Sequence, residues 1–248
     1  MKTLGAIFLV LCLQLAHPAS VLALNLGLGL AHYAMDMEFY YLHPRPEIIG
    51  PMLRDFERRG VLAQAEKRMM VAAFMAEALQ SYPRLAASLP SLPAQLGGDG
   101  RATLAWAVRL AGLPGSGPML AGLLEGASPA LARQIGGCPT PLGRWPIESE
   151  KSTLQMYWAS FMASGKKVWV LEIVRAACAY ARLNERGRQN DPGFAVFQAA
   201  AATLYEMAPR HAAVRSCVSE ALAQASGPEA RALALILENG EKNANRQE

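Results

Sequence analysis

The chain has 248 residues, of which 52% are apolar, so it can bury one large hydrophobic core or two smaller ones. Aromatic residues make up only 7%, and the abundance of Ala and Leu favours helices over strands, which draw on Val, Ile, Thr and aromatic residues. The formal charge is +4, and the basic residues are interspersed with acidic ones, which argues against a nucleic-acid-binding surface.

Residues 1–23 have the pattern of a secretory signal peptide. A lysine near the start is followed by an apolar run over residues 4–15, and Pro18 precedes short residues that end at Ala23. We expect cleavage after Ala23 and export to the periplasm or the exterior. The alternative is an uncleaved membrane anchor, because apolar residues continue to Ala31, although Pro18 and the glycines after it disfavour a spanning helix. No later apolar run reaches the length of a membrane span.

Proline and glycine mark the starts and ends of helices in residues 24–135, which we interpret as an N-terminal helical lobe. Pro46 opens one predicted helix and Gly60 follows its last periodic residues. The predicted helices of this lobe cover residues 33–42, 46–59, 62–81 and 101–111, with two weaker segments between 114 and 135.

A proline-rich loop over residues 136–148 is predicted to link this lobe to a second helical lobe at residues 149–240. Apolar residues in the second lobe recur at the i, i+3, i+4, i+7 spacing of a helix face, and Gly or Pro stands between successive periodic segments. The polar tail at residues 241–248 is predicted to be disordered.

Helix after helix with short connections predicts an all-α fold without a sheet. We expect antiparallel helix pairs that form a bundle or a short helical solenoid. No repeat of fixed period and fixed residues is present, so no named repeat class follows.

Three cysteines remain if Cys12 leaves with the signal peptide. Their spacing fits no zinc site. Cys178 and Cys217 lie on the apolar stripes of helices that we expect to be neighbours, and an exported protein can be oxidised. We therefore predict a disulfide between Cys178 and Cys217, with Cys138 left free. The alternative is that both helix cysteines are small buried hydrophobic residues.

Two short patterns contain residue types that serve in catalysis or metal binding. Ser164 and Lys167 have the S-x-x-K spacing, but Gly165 between them indicates a helix end with the glycine in the left-handed conformation.

The second pattern comprises His32, Asp36, Glu38 and His43. His32 and Asp36 share a helix face, but Glu38 lies on another side and His43 falls in a turn. We interpret them as an exposed pair and a turn histidine, and we predict no metal or cofactor.

Three consecutive aromatic residues, Phe39, Tyr40 and Tyr41, precede His43 and Arg45. Side chains of three successive residues cannot all point inward from one helix, so at least one should lie at the surface or in a groove between helices. These five residues are the candidate binding surface for a ligand or partner. The alternative is a core anchor that covers neighbouring helices.

Three segments carry a resemblance to known proteins. They are residues 39–47 (FYYLHPRPE), residues 158–165 (WASFMASG), and the helix around 197–204 with the following 211–214. Together they resemble a family of uncharacterised bacterial exported proteins built from α-helices. The resemblance spans most of the mature chain and implies export and an all-α fold. It implies no reaction, cofactor or catalytic residue.

We expect a non-enzymatic binding or scaffolding protein, because helical arrays offer concave binding faces and the sequence shows no reactive constellation. Its partner would be another protein or a component of the cell envelope. The alternative is a periplasmic or secreted hydrolase or transferase whose residues are scattered in the sequence, since catalytic sites are defined by geometry. Convergence of three residues from the histidine and carboxylate set, including His211, with a Ser, Thr or Cys would favour that alternative.

Overall fold

A computed structural model describes residues 31–82, 85, 91–138, 142–147 and 151–244. These residues contain eleven α-helices and three short 3-10 helices, with no β-strand among them. The predicted all-α fold is confirmed. None of these helices combines the length and apolar character needed to cross a membrane. The predicted signal peptide, residues 1–23, lies outside the described residues.

The α-helices are numbered here in chain order. They are α1 (Ala31–Glu38), α2 (Ile49–Arg58), α3 (Ala65–Ser81), α4 (Gly98–Ala111), α5 (Gly117–Leu123), α6 (Pro129–Gly137), α7 (Lys151–Ser164), α8 (Lys167–Glu185), α9 (Phe194–Met207), α10 (Ala212–Leu222) and α11 (Gly227–Ala244). The 3-10 helices are Pro46–Ile48, Pro93–Gln95 and Leu142–Arg144.

The chain divides into two compact units, and the division falls inside α8. The N-terminal unit ends at Trp169 and the C-terminal unit begins at Val170. The predicted linker, residues 136–148, lies instead within the N-terminal unit. The reason is that α7, which follows this loop, packs along α3 rather than with the helices after it. Of the predicted loop, residues 136 and 137 belong to the end of α6, and the other described residues are 138 and 142–147.

Helix α3 forms the centre of the N-terminal unit, with α4 and α7 packed against it. Every residue from Met70 to Leu79 is buried. A helix that is apolar on all sides is typically enclosed by other helices, and the Ala- and Met-rich sequence of α3 fits that position. Glu77 is the one charged residue within this buried stretch.

Helices α3 and α4 run in the same direction. Near their starts, the guanidinium of Arg68 lies 3.1 Å from the carboxylate of Asp99. Near their ends, the Gln80 amide donates a hydrogen bond to the carbonyl oxygen of Ala111 at 2.6 Å. The antiparallel packing expected of successive helices therefore does not hold for this pair.

The C-terminal unit is built around contacts that α11 makes with the helices before it. Helix α10 packs against α11, and so does α9. Arg182 near the end of α8 forms an ion pair with Glu229 near the start of α11. The Asn239 amide near the end of α11 donates to the carbonyl oxygen of Tyr205 near the end of α9 at 2.8 Å.

The last helix is longer than expected. α11 continues to Ala244, so residues 241–244, which the sequence assigned to a disordered tail, are helical. A glycine inside a helix, here Gly240, costs only about 1 kcal/mol relative to alanine, and the Glu, Lys and Ala that follow it are good helix formers. Residues 245–248 lie outside the described residues.

Candidate functional site

Tyr40 from the predicted binding surface belongs to the core. It is 2% exposed, and its ring packs edge-on against Phe74 and Tyr82 with centroid separations of 5.2 and 5.6 Å. The Tyr82 hydroxyl donates to the carbonyl oxygen of Ala163 at 3.2 Å. Burial raises the pKa of both phenols above the usual range, so both keep their protons. Tyr40 therefore cannot contact a partner directly.

The other four residues of that surface are accessible to different degrees. Phe39 and Tyr41 are partly exposed, and His43 and Arg45 are exposed. The Arg45 guanidinium forms an ion pair with Asp36. The predicted surface is thus reduced to the edges of two aromatic rings and two polar side chains in a turn.

Tyr41 connects two of the segments that carry the family resemblance. Its backbone amide donates to the carbonyl oxygen of Met162 at 3.0 Å, and its ring centroid lies 4.9 Å from that of Phe161. Gly165 has a φ of 68°, which confirms the left-handed conformation predicted for it. A β-carbon on Gly165 would come within 2.8 Å of the Tyr41 ring. With the Tyr41 ring in this place, there is no room for a side chain at position 165.

The S-x-x-K pattern is used to end α7. The Ser164 hydroxyl donates to the carbonyl oxygen of Ser160 at 2.9 Å and accepts from the amide of Lys166 at 3.3 Å. The Lys166 ammonium lies 2.9 Å from a carboxylate oxygen of Glu77, whose side chain is 7% exposed. The serine and Lys166 therefore stabilise a helix terminus and a buried carboxylate.

The structure describes the side chains of four of the five candidate histidine and carboxylate residues. Asp36 is held by an arginine, Glu38 is buried in the N-terminal unit, and His43 is exposed in its turn. His211 is buried in the C-terminal unit directly before α10. The side chain of His32 lies outside the described residues. Among the described side chains, no group of three His, Cys, Asp or Glu is placed to hold a metal ion.

A surface groove opens in the C-terminal unit, between α8 on one side and the end of α10 with the start of α11 on the other. Its volume is about 550 Å³. Apolar side chains form its floor, and charged or polar side chains form its rim. The floor residues are Leu171, Val174, Cys178, Ala221 and Ala225, and the rim residues are Arg175, Arg182, Glu220, Gln224 and Glu229.

The groove remains open beside α8 because the floor residues that face α8 from the opposite wall are small. Leu171, Val174 and Cys178 follow the i, i+3, i+7 spacing of one face of α8. Opposite them stand Ala221 and Ala225, whose methyl groups are too short to fill the space beside that face. Part of the apolar stripe that the sequence predicts on α8 therefore lines an open groove.

The two walls of the groove carry opposite charges. Arg175 and Arg182 stand two turns apart on α8, while Glu220 and Glu229 stand on the facing wall. Arg175 pairs with Glu172 of its own helix, and Arg182 pairs with Glu229. The arginine side chains are 68% and 46% exposed. Ion pairs this exposed contribute less than about 1 kcal/mol, so a charged ligand can compete with them.

Cys178 is a half-buried thiol in the groove floor. Burial raises its pKa to about 11, the nearby Glu229 charge adds to the rise, and Arg182 opposes it. Cys138 and Cys217 are buried, and no disulfide joins any of the three cysteines in the structure. The predicted Cys178–Cys217 bond is not formed there and stays a prediction. Thiol counting on the denatured, unreduced exported protein tests it: three free thiols would exclude the bond, and one would support it.

No protein-family model matches the chain, and comparison with curated proteins and with solved structures gave no match. The function of the groove therefore has to be argued from its own geometry.

Sequence reasoning identified Cys178 but missed the groove around it. A signal was present: Arg175 and Arg182 flank the apolar stripe of α8 with a spacing of seven, which places both on the same side of it. The facing wall carries two small residues, Ala221 in α10 and Ala225 in the connection to α11, but only the structure shows that both face α8.

Proposed function

We propose that the protein is an exported α-helical binding protein that holds a partner in the groove of its C-terminal unit. The observation that carries the proposal is the groove itself, with an apolar floor and a charged rim. Apolar surface supplies the driving force for association, while oppositely charged walls select and orient a partner. The partner is another protein or a component of the cell envelope.

The chemistry of the groove supports binding rather than covalent catalysis. A cysteine nucleophile needs a lowered pKa or an adjacent base. The pKa of Cys178 moves in the opposite direction, so the thiol stays protonated near neutral pH and acts as a small apolar group. The arginines of the rim form ion pairs with carboxylates. Such side chains can exchange one partner for another, which suits recognition.

Export is supported by the signal-like pattern of residues 1–23 and by the resemblance to exported helical proteins. The mature protein would then meet its partner in the periplasm or outside the cell.

The experiment that tests this function is affinity capture from cell envelopes with a blocked groove. Ala221→Phe places a large ring in the groove floor, and Ala212→Phe makes the same change at an exposed position at the other end of α10. The wild-type protein and Ala212→Phe should capture the same partner, and Ala221→Phe should lose it by about tenfold or more, since filling the floor removes the complementary surface. Circular dichroism confirms that both variants are folded. Equal capture by all three proteins would show that the groove is not the binding site.

A further inference from the structure

The architecture of the groove identifies the kind of structure that fills it, provided that the groove is the binding site as proposed above. One side is α8, the other is formed by α10, α11 and the connection between them, and the floor combines one face of α8 with the small side chains of Ala221 in α10 and Ala225 in that connection. Small residues at such positions let another helix approach closely, because interaxial distances of about 8–10 Å depend on the side chains at the contact. The floor therefore has the form of a seat for a third helix.

The rim shows that the ligand stays partly in water. Arg175, Glu220 and Gln224 are exposed although they line the groove. A small-molecule site typically encloses most of its ligand, whereas an amphipathic helix in a groove buries its apolar face and leaves its outer face solvated. The open form of this groove favours the helix.

The charges of the walls define the flanks of that helix. Arg175 and Arg182 occupy the α8 wall, and Glu220 and Glu229 occupy the facing wall. A helix can lie along the groove in either of two orientations. If it has acidic residues on one flank of its apolar stripe and basic residues on the other, one of these orientations places each flank against a wall of opposite charge. A helix with like charges on both flanks places one flank against a wall of its own sign, which weakens binding.

We propose that the groove binds an amphipathic α-helix of a partner protein, with acidic residues along α8 and basic residues along the wall formed by α10 and α11. Arg175 recognises the acidic flank, because its present partner is Glu172 on the same helix and the pair is exposed. A carboxylate from the bound helix can replace that partner at little cost.

The test uses synthetic peptides of about 14 residues, four helical turns, with the same leucine stripe. One peptide carries Glu on one flank and Lys on the other, a second carries Glu on both flanks, and a third carries Lys on both. A fourth has the composition of the first in scrambled order. The mixed-flank peptide should bind the full mature protein about tenfold more tightly than the other three. Amide chemical-shift changes should be centred on the groove residues of α8 and α10.

Two variants complete the test. Arg175→Glu should weaken the mixed-flank peptide and strengthen the peptide with Lys on both flanks, while Ala221→Phe should weaken every peptide that has the stripe. Equal binding of the scrambled peptide, or shift changes away from the groove, would overturn the helix proposal. If Ala221→Phe abolishes capture of the natural partner while no striped peptide binds, the helix proposal fails and the binding function stands. If Ala221→Phe leaves capture of the natural partner unchanged and no striped peptide binds, the helix proposal and the binding function both fail.

Discussion

The ring of Tyr41 occupies the space in which a side chain at Gly165 would lie. A β-carbon there would approach the ring to 2.8 Å, and the glycine backbone has a φ of 68°. Two requirements coincide at this position, since the turn after α7 needs the left-handed conformation and the segment before α2 needs room for an aromatic ring. Residues 39–47 and 158–165 are therefore coupled through packing.

The first prediction separates these two requirements. Gly165→Ala should lower the free energy of unfolding by about 2–4 kcal/mol, because left-handed strain of about 1–2 kcal/mol adds to the clash with Tyr41. Gly112→Ala is the matched control, since Gly112 has a φ of 59° but a β-carbon there meets nothing within 4 Å. The loss of unfolding free energy in Gly112→Ala should therefore be limited to the left-handed backbone strain. Urea unfolding of both variants measures the difference, and equal losses would contradict the packing role of Tyr41.

The second prediction concerns the ion pair between Glu77 and Lys166. Lys166→Met should destabilise the protein by about 1–3 kcal/mol, because it leaves the Glu77 carboxylate buried without its cation. The loss is smaller than for a fully buried pair because the lysine is partly exposed. Glu77→Gln in the same chain should restore part of that loss, since an uncharged amide is less costly to bury. Thermal or urea unfolding of the single and double variants gives the coupling free energy between Glu77 and Lys166.

An exposed pair provides the control for that experiment. Arg175→Ala removes the partner of Glu172 at the surface and should change the free energy of unfolding by less than about 0.5 kcal/mol. Additive effects of the Glu77 and Lys166 substitutions would show that the buried pair is not coupled.

The third prediction concerns the Cys178 thiol. Because burial raises its pKa to about 11, its thiolate population near pH 8 should be about a hundredfold below that of a cysteine with the ordinary pKa near 9. Alkylation by iodoacetamide in a Cys138→Ser/Cys217→Ser background should be slow at pH 8 and accelerate about tenfold per pH unit toward pH 10. A rate that levels off between pH 8 and 9 would contradict the raised pKa.

The fourth prediction concerns export. The mature protein should begin at residue 24 and be recovered from the periplasm or the medium, as the signal-like pattern of residues 1–23 indicates. Fractionation followed by N-terminal sequencing decides the point. Membrane-bound protein that retains Met1 would show an uncleaved anchor.

The ends of several helices could be predicted because glycine adopts positive φ more readily than other residues. Gly60 and Gly165 are predicted helix ends, and both have positive φ. The parallel packing of α3 and α4 could not be predicted in this way. It depends on contacts such as that of Arg68 with Asp99, which join residues far apart in sequence through a long connection.

The groove could not be predicted for a different physical reason. An apolar stripe such as Leu171, Val174 and Cys178 shows that a helix face avoids water, but it does not show whether the same chain or a partner covers that face. The answer depends on the residues opposite, Ala221 and Ala225, and on the spacing between helices. Only the folded arrangement contains that information.

Covalent trapping in intact cells shows whether a partner occupies the groove. A photoreactive benzoylphenylalanine replaces Gln224 on the groove rim, or Ala212 at the exposed start of α10, in the full exported chain. After irradiation we expect a single crosslinked partner from position 224 and none from position 212, and the adduct at position 224 should be lost when Ala221→Phe is added. An adduct that forms equally from both positions, or that survives the filled groove, would contradict the assignment of the groove as the binding site.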